Sequence, residues 1–225
     1  MRRLNCRERE YTGISEASAL IYGVYSPVGR SGKTTFALLL GEILSRNRSA
    51  VYIGFEDFAI QERRDGQVST LSDAFFYHQK HCLGERIRAM TSHWHGLDVL
   101  AGVTCPEDIQ SIQGSEWAAM VEEIARNSGY DAIVLDMGTK LWLAGAMFSI
   151  CSHIYVPVLE DVYARECQKN FENWMENELD AVVREKIHTV RIPMEGPNGC
   201  RESRLEYALW GETGDYIRNL IRSEW

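Results

Sequence analysis

Positive charge is what this sequence is short of. Its 225 residues carry 24 Lys and Arg against 32 Asp and Glu, a formal net charge of −8, which argues against holding nucleic acid by bulk electrostatics. An apolar segment is missing from Met1-Arg-Arg-Leu-Asn-Cys-Arg-Glu-Arg-Glu10, so no signal peptide is read there and secretion is not expected. Paired cysteines are also lacking. Cys6, Cys82, Cys105, Cys151, Cys167 and Cys200 are scattered without a C-x-x-C unit, which fits reduced thiols in a cytoplasmic protein. Long uncharged runs are rare too. The stretch 141–159 has membrane-spanning length, but Ser149, Ser152, His153 and Pro157 interrupt it; it is read as a buried helix, 141–150, followed by a strand, 153–158. No internal repeat or low-complexity tract is present. What the chain does have is 45% apolar residues, 10% aromatics and six Trp, enough for a real core in one sizeable α/β domain.

Along the chain, residues 1–19 form a polar leader, and residues 20–225 read as one domain. Leu20-Ile-Tyr-Gly-Val-Tyr25 is strand-like, a Gly-containing loop follows, and an apolar-periodic helix spans 33–44. A second strand, 50–55, runs into Glu56-Asp57 and a charged loop through Gly66. Residues 69–90 are expected to be helical with a break at Gly84, and 97–101 to be a short strand. Ser115 is the expected N-cap of a helix carrying Trp117, Met120, Val121 and Ile124 on one face, stopped by Asn127-Ser-Gly129. The strand 131–136 comes next. Beyond the uncharged stretch lie an amphipathic helix over 161–185, with Ala164, Cys167, Phe171, Trp174 or Met175, and Val182 on its apolar side, then a strand over 188–192, a Gly/Pro loop at 196–199 and a helix over 214–225. Strands alternate with helices and carry apolar runs, as expected when both sheet faces are covered. The predicted fold class is therefore α/β, a doubly wound, mostly parallel sheet in three αβα layers.

The most informative residues lie between the first strand and its helix: Val28-Gly29-Arg30-Ser31-Gly32-Lys33-Thr34-Thr35. Binding a nucleoside triphosphate needs inward-pointing backbone N–H groups, glycines that bend the chain around phosphate, a helix N-terminus, a Lys for the β/γ oxygens and a hydroxyl for Mg²⁺. Gly32-Lys33-Thr34 supplies the last parts, although Pro27 holds the position where G-x-x-x-x-G-K-[ST] has its first Gly. Such a site also needs an acidic residue at the end of a neighbouring buried strand. Ile133-Val-Leu-Asp136 has that form, with a turn or N-cap role as the plain alternative for Asp136.

These landmarks resemble the deviant Walker A ATPases of the MinD/ParA type, over roughly residues 21–158. The segments Tyr25–Thr35, Tyr130–Gly138, Leu205–Gly211 and Tyr216–Leu220 are most similar to the CpaE/TadZ-like branch, whose members help place pilus-assembly machinery. The resemblance implies a P-loop NTPase using ATP and Mg²⁺. Lys33 would hold the β/γ-phosphates, Thr34 would ligate Mg²⁺, Thr35 would contact the α-phosphate, and backbone amides from Gly29 through Arg30 and Ser31 to Gly32 would line the loop. Asp136 would act on the metal's water shell, and Glu56, or Asp57 as the next choice, would position the attacking water. The family's signature Lys falls at Val28, which cannot stabilise transferring charge; Arg30 stands where the family has its second Gly, either as a cation acting in trans or as a solvated side chain. A weakly hydrolysing, dimerising switch with a protein partner in a pilus or secretion machine is the leading expectation. A nucleotide-binding scaffold without catalysis and a kinase on the same fold are the alternatives.

Other signals have bland readings beside the sharp ones. His78, His81, Cys82, His93, His95 and Cys105 invite a zinc site, but their spacing fits no standard structural pattern, and the aromatic neighbours Phe75, Phe76, Tyr77 and Trp94 point to packing. Arg2, Arg3, Arg7 and Arg9 read as a solvated tail rather than a nucleic-acid arm. The terminal helix groups Tyr216, Ile217, Leu220, Ile221 and Trp225, which suits docking on the domain or contact with a membrane surface; docking is the expected outcome.

Overall fold

The computed structural model describes residues 18–55, 69–103, 105–193 and 201–222. In chain order these form β1 (Leu20–Val24), α1 (Lys33–Ser45), β2 (Ala50–Gly54), α2 (Leu71–Gln79), α3 (Leu83–Met90), β3 (Ser92–Trp94), β4 (Leu97–Leu100), α4 (Pro106–Gln110), α5 (Gly114–Asn127), β5 (Ala132–Asp136), α6 (Leu141–Phe148), β6 (His153–Pro157), α7 (Val162–Glu178), α8 (Ala181–Arg184), β7 (Ile187–Val190), α9 (Arg201–Trp210) and α10 (Glu212–Arg222). The strands make one sheet in the order β3-β4-β2-β5-β1-β6-β7. Every neighbouring pair is parallel except β3 with β4.

Alternation along the central strands feeds two cores. Val51, Ile53, Ile133 and Leu135 enter one, with Leu71, Leu83, Ile87, Trp117, Val121, Ile124, Leu143, Phe148 and Phe171. Ala50, Tyr52, Ala132 and Val134 enter the other, with Phe36, Leu39, Leu40, Ile43, Leu209, Ile217 and Ile221. Because successive strand side chains point to opposite faces, β2 and β5 must be apolar at both parities, which explains their continuous apolar sequence. The three-layer α/β reading holds.

Several local expectations are corrected. The break in 69–90 falls at Lys80–Cys82, where His81 takes a left-handed φ of 52°, and Gly84 lies inside α3. Gly84 serves packing: a Cβ there would stand 2.4 Å from Asn127 Cβ, so its hydrogen side lets α3 lie against α5. The cap of α5 is Gln113, in a reciprocal box with Glu116, and Ser115 is already helical. The helix expected over 161–185 ends at Glu178, because Leu179 adopts an extended conformation; Val182 is then 68% exposed instead of apolar-side. The strand expected at 188–192 is Ile187–Val190, and the hairpin strand β3 and helix α9 were not foreseen. The Gly/Pro loop at 196–199 lies outside the described residues.

The stretch 141–159 divides into α6 and β6, and no described helix is long and apolar enough to cross a membrane. Helix α10 docks on the domain: Ile217 and Ile221 are buried in the core that α1 fills, and Arg218 donates to the Leu209 carbonyl and pairs with Asp215. Cys82, Cys105, Cys151 and Cys167 are free thiols. Burial pushes the Cys151 thiol up to about 12. The Gly84 contact is testable: Gly84→Ala should destabilise the protein by about 1–3 kcal/mol through overpacking, seen as a lower urea midpoint at unchanged m-value.

Candidate functional site

Strand order brings three chain segments to one place. The order of strands reverses at β1, with β5 and β2 on one side and β6 on the other, and the crevice beyond the strands' carboxyl ends at such a switch point is where open α/β sheets bind ligands. Val24 and Gly54 are both in register with Asp136, so the segments after β1, β2 and β5 leave the sheet at the same level. Backbone bonds tie them: Met137 N–H donates to the Val24 carbonyl at 3.0 Å and Phe55 N–H to the Asp136 carbonyl at 2.8 Å.

The segment after β1 is the expected loop. Tyr25 anchors its start against Phe148 and Phe171, where burial raises its hydroxyl to about 12, and the Val28 N–H donates to Ser26 Oγ at 3.3 Å. Gly32 takes a left-handed conformation, φ 84° and ψ 10°, and caps α1 with no side-chain hydrogen bond and no acidic residue in the first turn. The amide end of a thirteen-residue helix therefore faces the loop without a protein anion in that turn. Lys33 begins the helix, is buried, and turns its Nζ back to within 3.2 Å of the Val28 carbonyl. Ser31 Oγ is buried with no hydrogen-bond partner among the described residues. A buried, unpartnered hydroxyl carries a desolvation cost, and here it lies one residue before the N-cap of α1, whose free N–H groups suit phosphate oxygens. These groups fit a phosphate ligand.

The other expected residues divide. Gly29 and Arg30 are exposed, and Thr34 and Thr35 are half-buried on the first turn of α1. Arg30 holds φ 61°, the left-handed backbone that glycine adopts without strain and an Arg does not. Asp136 is fully buried at the end of β5; its Oδ1 accepts from Gly138 N–H at 3.3 Å and its Oδ2 from the Tyr52 hydroxyl at 3.1 Å. No hydrogen bond joins Asp136 to Thr34 among the described residues. Glu56 and Asp57 lie outside them. Two residues at this edge had no motif to announce them. Tyr52 read only as part of a strand, and Lys140, which donates from Nζ to the Phe55 carbonyl at 2.8 Å, read only as the residue before a helix.

The zinc candidates are dispersed. His78 pairs with Glu123, His93 with Asp98 across the β3–β4 hairpin, and Cys105 with Glu107. Among the described residues no three His, Cys, Asp or Glu converge on a metal position.

Against known structures, this geometry has clear counterparts. A ParA family ATPase from Chlorobium tepidum TLS superposes with a TM-score of 0.64 at 12% identity, over 92% of this chain and 90% of that one. The chain has the fold of ParA-type ATPases. A variant of Cyanothece McdA in complex with ATP matches at 0.60 and 10% identity over 92% of this chain and 79% of that one. A chain of the MinC:MinD cell division complex of Aquifex aeolicus matches at 0.57 and 16% identity, over 91% and 78%. No protein-family model and no curated protein matches the sequence. The ParA-type fold explains why the loop, the end of β2 and the end of β5 share one edge.

Arg30 and Gly29 offer a direct check on the loop. Arg30→Gly should raise stability by up to about 1 kcal/mol, since it relieves the left-handed backbone. Gly29→Ala should raise stability by about 0.4–1 kcal/mol by restricting the unfolded chain, because a Cβ at Gly29 meets nothing within 4 Å. Urea denaturation of both variants reads the difference.

Proposed function

We propose that residues 20–225 form one nucleotide-binding domain that takes ATP with Mg²⁺ at the loop 28–35 and acts as a dimerisation switch. The observation that carries this reading is the loop itself: a left-handed Gly32, an uncapped helix N-terminus, Lys33 and a buried Ser31 Oγ with no partner among the described residues. The backbone from Gly29 to Gly32 and the Lys33 ammonium bind the phosphates, with Lys33 exchanging its bond to the Val28 carbonyl for phosphate oxygens of greater negative charge. Thr35 contacts the α-phosphate. Thr34 and Asp136 are the residues to hold Mg²⁺, directly and through its waters. When bound, Mg²⁺ neutralises phosphate charge and fixes phosphate orientation. Glu56, or its neighbour Asp57, orients the attacking water.

A switch requires ATP to bind the dimeric, partner-competent state more tightly than the monomer. The reading therefore includes a homodimer, slow hydrolysis and a cytoplasmic protein that positions or assembles a larger machine. The similarity of Tyr25–Thr35 and Tyr130–Gly138 to the CpaE/TadZ-like branch supports a pilus or secretion apparatus as that machine. The net charge of −8 favours a protein partner over DNA. One observation favours a second reading. Val28 carries no charge where the resembled family has its signature Lys, so a scaffold that binds nucleotide without hydrolysing it is the alternative, unless Arg30 acts across the dimer.

The test is molar mass in solution with and without ATP–Mg²⁺. Wild type should dimerise with nucleotide, and Lys33→Ala should remain monomeric with ATP affinity lowered by about tenfold or more, the scale of a lost charge-assisted hydrogen bond. ATP binding without a change in mass supports the scaffold, and an absence of ATP binding overturns both readings. Phosphate release that falls in Arg30→Ala assigns the catalytic cation to Arg30; release unchanged by that substitution removes Arg30 from catalysis.

A further inference from the structure

Tyr52 and Gly54 make an arrangement that the loop motif does not account for. Residues two apart on a strand share a face, so Tyr52 and position 54 point toward the α1 side of the sheet, as do Val134 and Asp136 on the neighbouring strand. Gly54 is in register with Asp136. Tyr52 lies one step back, and its side chain must pass over position 54 to reach the carboxylate. It does so because position 54 has no side chain: a Cβ there would stand 3.0 Å from the Tyr52 hydroxyl and 3.2 Å from Cε1. The ring is buried in the core beneath α1, at 8% exposure, and only the hydroxyl meets the site edge, 3.1 Å from Asp136 Oδ2.

Asp136 has no exposed surface, so protein groups must satisfy its oxygens. Gly138 N–H serves Oδ1 and the Tyr52 hydroxyl serves Oδ2. The two donors come from opposite sides: one from the turn after β5, where Gly138 takes a left-handed φ of 60°, and one from β2. Together they fix the torsion of the carboxylate. A Phe at position 52 would fill the same core volume and leave Oδ2 without this donor.

We infer that Tyr52 is a positioning residue for Asp136, setting how strongly Mg²⁺ adds to nucleotide affinity, with Gly54 as the gap that admits its hydroxyl. This rests on the proposed nucleotide site. A carboxylate acting on a metal through water must be aimed, and loss of such a supporting hydrogen bond typically lowers metal affinity by roughly 10–100-fold.

The experiment is calorimetric titration of the full chain with ADP, in EDTA and in Mg²⁺, for wild type, Tyr52→Phe and Gly54→Ala. Tyr52→Phe should keep its EDTA affinity within about twofold and lose about tenfold or more of the Mg²⁺-dependent gain. Gly54→Ala keeps the hydroxyl but crowds it off Oδ2, and should show a smaller loss of the same kind, which preserves the test if Tyr52→Phe does not fold. Equal losses with and without Mg²⁺, or an unchanged Mg²⁺ gain in a folded variant, would overturn the assignment while leaving the nucleotide site standing. Wild type that binds no nucleotide would overturn the site and the assignment together.

Discussion

The register of β5 between β1 and β2 is the constraint on which the rest depends. Parallel pairing sets Val24, Gly54 and Asp136 at one level, and the three segments leaving the sheet there have no choice but to meet. Their cross-bonds, Met137 to Val24 and Phe55 to Asp136, continue the sheet's hydrogen bonding one step beyond its formal end. A slip of one residue would turn the apolar residues of β5 to the opposite faces and move Asp136 away from the side on which Tyr52 and the loop lie. Both cores guard against that slip, since β5 is buried along its whole length.

The same edge concentrates unusual backbone and unsatisfied polarity. Arg30, Gly32 and Gly138 take positive φ there, Ser31 Oγ is buried without a partner among the described residues, and Lys33 bonds to a carbonyl of its own loop. Away from it, polar side chains are used conventionally: Thr70 and Asp73 form a capping box, Asp161 caps α7, and Arg88 ties α3 to the Ser128–Gly129 turn. Among the described residues Ser31 Oγ and Gln168 Oε1 are the buried side-chain atoms left unpaired, and of the two only Ser31 lies beside a bare helix N-terminus, which makes its loop the candidate place for a ligand.

Much of this was legible in the residues. Gly32-Lys33-Thr34 between a strand and a helix supplies the residue types that a phosphate loop needs, and the apolar run 132–135 ending in Asp136 predicts the buried strand beside it. The alternation of strands and helices gave the layered architecture. Local stops were less legible. His81 ends α2 with a left-handed backbone that no rule assigns to histidine over the glycine three residues later, and Gly84 is needed for a contact with Asn127, forty-three positions away, that only the packed helices create.

What the sequence by itself determined was therefore the chemistry on offer: a loop with the residue types that phosphate binding needs, an acid at the end of an apolar strand, an acidic chain with a core large enough to hold a sheet. Those follow from residue type and short-range spacing. Tertiary structure decided which groups serve the acid. Tyr52 is a strand residue with an apolar body, and nothing near it in sequence distinguishes it from Tyr22 or Tyr155. It becomes part of the site only because β2 lies beside β5 in a register that sets Gly54 opposite Asp136, leaving open the one path by which a hydroxyl reaches a carboxylate eighty-four residues later.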